Sequence, residues 1–126
     1  MQVRNRAVIV GTAIVAVLVL IFNVRVAAAH AVLVEASPAA KSTVPGPDVP
    51  ISLRYNVRIE AGRSRLSLVG PDNAVTALTI AAQPSPDTLT TSAKDLKPGA
   101  YRLRWQVLAS DGHITRGEVA FSVAAH

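Results

Sequence analysis

The 126-residue chain has no cysteine and one methionine, Met1. Without cysteine there are no disulfides, no thiolate zinc or iron–sulfur sites and no cysteine nucleophile. The compartment stays open, because a disulfide is optional for an exported domain of this size. Aromatic residues are scarce at 4%, which leaves little material for an aromatic substrate-binding face. Acidic residues number 8 against 13 Lys and Arg, a formal charge of +5. That excess points to nucleic acid or a membrane surface only if it sits on the folded part. The length allows one domain and little more.

What is present first is a leader. Arg4 and Arg6 precede an uncharged apolar run over residues 7–22 (AVIVGTAIVAVLVLIF), and residues 23–29 (NVRVAAA) end in small side chains. A basic start, an apolar stretch and an Ala-x-Ala site make a secretory signal peptide over residues 1–29. The competing reading is an uncleaved anchor, because the apolar run lies near the lower limit for spanning a bilayer. Either way the remainder is exported, to the periplasm or another extracytoplasmic space. Cleavage after Ala29 leaves His30 as the first residue, whereas an Ala29-His30-Ala31 site would discard it. Thirteen basic residues less Arg4, Arg6 and Arg25 leave ten against eight acidic ones, a net of +2. The basic excess is largely an export signal, so nucleic acid is not an expected partner.

Residues 30–126 form the second unit and read as a small β domain. Alternating apolar segments recur with turn residues between them: 30–36 (HAVLVEA), 51–55 (ISLRY), 66–68, 74–80 and 88–92. Pro38 to Pro50 carries four prolines and Gly46, which predicts an extended loop without a strand interior. Gly70-Pro71-Asp72-Asn73 is a turn signal. After Lys97-Pro98-Gly99, the residues Tyr101, Leu103, Trp105 and Val107 share one face, with Arg102, Arg104 and Gln106 on the other. Val119, Phe121 and Val123 repeat the period of two. Such alternation describes half-buried strands. Trp105 is expected as a core anchor, and Arg102 and Arg104 as solvated. About seven short strands without a helical period predict an all-β, immunoglobulin-like Greek-key sandwich or barrel.

Histidine is the scarce chemical resource: His30, His113 and His126. In an extended Asp111-Gly112-His113 segment, residues two apart point the same way. A carboxylate and an imidazole could then meet at one point, although the triplet alone is more simply a turn. If His30 begins the exported chain, it offers an imidazole and an α-amine. An α-amine, with a pKa near 8, is far easier to deprotonate than a lysine. Three nitrogens and a carboxylate oxygen suit a tetragonal Cu(II) centre, and copper outcompetes zinc for such donors. His126, at the chain end, is expected to be a solvated tail.

The segments HAVLVEASPA from His30, ISLRY from Ile51, PGAYRLRWQVLASDGH from Pro98 and GEVAFSV from Gly117 resemble the CopC family of copper-resistance proteins. The resemblance spans His30 to Val123. It implies an exported Greek-key β-barrel that binds Cu(II) through the N-terminal His30 (amine and imidazole), Asp111 and His113. It also implies cleavage after Ala29 and an inner-membrane copper transporter of the CopD type as a companion. Some members add a Met-rich loop for Cu(I). This chain has no methionine after Met1, so a Cu(II)-only site is expected, since Cu(I) favours thioether ligands.

Two other functions fit parts of the sequence. An exported immunoglobulin-like interaction module would treat the histidines as incidental. A histidine-brace copper oxidase would share the terminal His, but the chain is short and its few aromatics fall at core positions. No nucleophile signature accompanies Asp111 and His113. A non-enzymatic copper-binding role is therefore expected.

Overall fold

The computed structural model describes residues 30–125; the leader over residues 1–29 and His126 lie outside the described residues. Among the described residues, eight strands make two sheets. One contains β1 (Leu33–Ser37), β3 (Val49–Tyr55) and β6 (Thr88–Ala93), in the order β1-β3-β6. The other contains β2 (Thr43–Val44), β4 (Arg65–Val69), β5 (Val75–Leu78), β7 (Gly99–Leu108) and β8 (Ile114–Val123), in the order β2-β8-β7-β4-β5. A 3-10 turn, Ala61–Arg63, precedes β4. The expected all-β immunoglobulin-like sandwich is the observed fold.

The core follows from the alternation. Tyr101, Leu103, Trp105 and Val107 of β7 are buried, as are Val119, Phe121 and Val123 of β8. Opposite them, Ile51, Leu53, Tyr55 and Leu89 close the core from the smaller sheet. Each fully buried side chain of this size contributes about 1.5–3 kcal/mol. Trp105 is the expected anchor at 8% exposure, its ring edge-on to Tyr55 with centroids 5.4 Å apart. Across the register from Trp105 stands Gly117. A Cβ there would overlap Trp105 Cζ2 and Cε2, so the indole itself requires the glycine. Among the described residues, the core cluster runs from Ala31 to Val123.

One expectation about the strands needs correction. The segment from Pro38 to Pro50 is not all loop. Thr43 and Val44 pair in parallel with Ser122 and Val123, and Pro50 lies inside β3 opposite Ser92. Thr43 and Val44 form the border strand of the larger sheet, where two residues suffice to cover the end of β8. Arg102 and Arg104 are solvent-facing as expected, their side chains 43% and 47% exposed. They flank Glu118, at 3.7 Å and 2.9 Å, on the outer face of the larger sheet.

The chain's passage between sheets at one border is stitched by polar contacts. Ala81 N–H donates to Thr90 O (2.9 Å), and the Thr91 hydroxyl to Thr79 O (2.6 Å). Near the β7 start, the Tyr101 hydroxyl donates to Lys97 O at 2.6 Å. That bond holds the turn into β7 while the Tyr101 ring stacks on Phe121.

Candidate metal centre

The three candidate ligands come from two segments at one end of the sandwich. Ala31 is 2% exposed and anchors the segment ahead of β1. Asn56 then clamps Val32 on both sides. Its side-chain oxygen accepts from Val32 N–H (2.7 Å), and its own N–H donates to Val32 O (3.0 Å). With Val32 and Ala31 held, the exposed His30 is fixed just outside the core.

Asp111 and His113 sit in the turn joining β7 to β8. Ala109, 2% exposed, bridges to Ile59, and Ser110 N–H donates to Arg58 O at 3.1 Å. Gly112 N–H donates back to Ala109 O, and Ala109 N–H to His113 O, both at 2.9 Å. Gly112 has φ +91°, a conformation that favours glycine. The segment is therefore a tight turn and not an extended stretch. Asp111 and His113 meet by a different route from simple alternation. The Asp111 carboxylate accepts the His113 backbone N–H at 3.0 Å, and its other oxygen lies 3.2 Å from His113 Nδ1. Asn and Asp side chains commonly close turns two residues on in this way.

Electrostatically, the His113 N–H bond is the main cause that holds the Asp111 carboxyl below its ordinary pKa. Desolvation opposes the shift, and the His113 side chain adds to it. The carboxylate thus stays charged and available as an oxygen donor. The His30 and His113 rings stand 5.2 Å apart between centroids, edge to face at 79°. His113 and Asp111 side chains retain 49% and 33% exposure.

The donor types suit a copper ion: two imidazoles in contact, one beside a carboxylate, on a solvent-facing end. As positioned, the side chains alone do not converge as a finished ligand triad. Among the described residues, no group of three or more His, Cys, Asp or Glu is arranged to hold a metal. A surface groove of about 440 Å³ lies elsewhere, lined by Arg65, Arg104, Arg116 and Glu118 on the outer sheet face. No histidine lines the groove, so it does not compete with the histidine end as the candidate.

Asn56, Arg58 and Ile59 were not legible as site residues. They act through backbone and amide contacts that have no sequence signature. Two exposed apolar residues, Val32 and Ile114, each 54% exposed, flank the histidine pair along the chain.

Comparison with known proteins defines the class. The CopC domain profile matches residues 33–124. A protein called YobA from Escherichia coli K12 is 35% identical over 98 residues, covering 75% of this chain and 79% of its own length. Copper resistance protein C of Xanthomonas campestris pv. juglandis is 31% identical over 103 residues, covering 75% and 80%. The crystal structure of CopC from Methylosinus trichosporium OB3b superposes with a TM-score of 0.72 at 34% identity, covering 77% of this chain and 96% of that one. The chain belongs to the CopC family.

Proposed function

We propose that this chain is an exported, non-enzymatic protein that chelates Cu(II) through His30, Asp111 and His113. The observation that carries the reading is the contact between His30 and His113. Residues 83 positions apart in sequence are brought ring to ring, beside a turn that presents a charged carboxylate. Cleavage after Ala29 adds the α-amine of His30, which supplies the donor that the side chains alone lack. A nitrogen- and oxygen-only set favours the harder, oxidised copper ion, and no thioether is available after Met1.

His113 contributes one imidazole nitrogen to the ion, and Asp111 both holds that ring and offers its carboxylate. Imidazole and amine donors must be free of protons to bind, so affinity falls as pH drops below neutrality. Copper is cargo here: the protein sequesters it, buffers it or passes it to a membrane transporter of the CopD type. The identity of a relative as a copper resistance protein supports that class of role. The exposed position of the histidine pair supports exchange with a partner.

Cu(II) titration followed by EPR tests the assignment. His113→Ala should lower affinity by more than the roughly 10–100-fold that loss of a supporting partner costs. Asp111→Ala should change both affinity and spectrum. An unchanged spectrum in both variants removes the β7–β8 turn from the site. An interaction module with incidental histidines would show no shift of thermal stability with copper, whereas specific binding raises it.

A further inference from the structure

We propose that the open edge of β8 pairs with the same edge of a second copy of this chain, antiparallel, about a twofold axis at Gly117. The direction of each β8 peptide group follows from its bonds. Lys41 N–H donates to Ala120 O, Ser122 N–H to Ser42 O and Ala124 N–H to Val44 O, at 2.6, 2.9 and 2.9 Å. Even-numbered residues there point away from β7. At the other end, His113 O accepts from Ala109 N–H, so odd-numbered residues point toward the β7 side. The β7–β8 register runs without a break from Leu108↔Ile114 to Gly99↔Val123. Ile114, Arg116 and Glu118 therefore aim their N–H and C=O groups outward. Among the described residues, the only strand beyond β8 is β2, and it pairs at Ser122 and Val123 alone.

An open edge is a template for another strand, and the side chains select which one. Centring a self-pair on Arg116 or on Glu118 sets like charges directly opposite, which is destabilising. Centring it on Gly117 sets Arg116 opposite Glu118 twice, an attractive pair on each side of the axis. This register also places only outward-pointing residues opposite each other in the bonded positions. Glu118 already lies 2.9 Å from Arg104 on the same outer face, so the partner's arginine would extend an existing charge ladder. Gly117, at the axis, projects nothing, and the Trp105 indole fills the space beneath it.

Lys41 occupies Ala120 O and closes the edge beyond Val119. The pairing window is thus residues 115–119, too short for an interface of standard size. Association is consequently weak and matters where the protein is locally concentrated. The twofold arrangement leaves both histidine ends free, since the two His113 residues would lie roughly 26 Å apart along the joined strands at ~3.3 Å per residue.

The chain starting at His30 suits the test, because it keeps every core residue among those described, Ala31 to Val123. Sedimentation up to about 1 mM, a range that corresponds to weak association, should show concentration-dependent dimers. Arg116→Glu alone and Glu118→Arg alone should each be monomeric, because each sets like charges opposite in the same register. An equimolar mixture of the two should dimerise, because both cross-pairs are then attractive. Circular dichroism confirms that each variant is folded, and mixed-mass dimers in native mass spectrometry identify the heteropair. A monomeric wild type at about 1 mM, dimers of Arg116→Glu as strong as wild type, or a folded but monomeric mixture would each overturn the proposal.

Discussion

Between Tyr101 and Val107 the β7–β8 hairpin hides every second side chain, with Leu103 at 1% and Val107 at 0% exposure. From Ser110 to Ile114 the same hairpin leaves every side chain exposed. The body is held by apolar area and the tip by backbone bonds to the Arg58–Ile59 segment and by the Asp111 carboxylate, which accepts from His113 N–H. A hairpin tip can therefore be held in a defined turn while contributing little to the core. The tip is free to carry polar donors because the body, two residues away, supplies the stability.

The largest way to break that division is Trp105→Ala. Losing a buried tryptophan costs about 3–5 kcal/mol, so the melting temperature should fall steeply. If body and tip are separate, the Cu(II) EPR spectrum of the still-folded fraction should match wild type. A changed spectrum would show that the indole shapes the turn as well.

A smaller effect sharpens the description of the body. The Tyr55 hydroxyl is buried and has no hydrogen-bond partner among the described residues. Burial also pushes its pKa well up, so it stays neutral. An unsatisfied buried polar group costs about 1–3 kcal/mol. Tyr55→Phe should thus hold or raise the thermal midpoint, and a clear drop would mean that the hydroxyl has a partner.

The smallest expected effect lies at the tip. The Asp111 pKa is lowered in the folded protein, chiefly by the His113 N–H. A group of that kind contributes stability that is complete above its unfolded pKa, about 3.9, and is lost as pH falls through the lower folded value. NMR of the metal-free protein should show the Asp111 carboxyl titrating below about pH 3.9, with the His113 amide shift following it. A midpoint above that value would remove the hydrogen bond from the account.

The body was far more legible than the tip. Tyr101, Leu103, Trp105 and Val107 announce their burial by a period of two, because burial acts on every second side chain of a strand. Thr43 and Val44 carried no such pattern, since two border residues need only backbone partners. Pro50 was misleading because a strand can hold a proline where its missing N–H is not needed. At the tip, Asp111 and His113 were named from their chemistry, but their geometry was not foreseen. The turn depends on Gly112 at positive φ and on carbonyls of Arg58 and Ala109, and carbonyls are the same in every residue. Asn56 was invisible for a related reason: its clamp on Val32 joins positions 24 apart in the sequence.

The most direct measurement compares Cu(II) affinity for a chain whose first residue is His30 with one carrying a single extra residue before it. The added residue converts the α-amine to a peptide nitrogen and leaves all three side chains in place. The account predicts that affinity falls by more than about tenfold, or 1.4 kcal/mol, with an altered EPR spectrum. Equal affinity and an identical spectrum would contradict it.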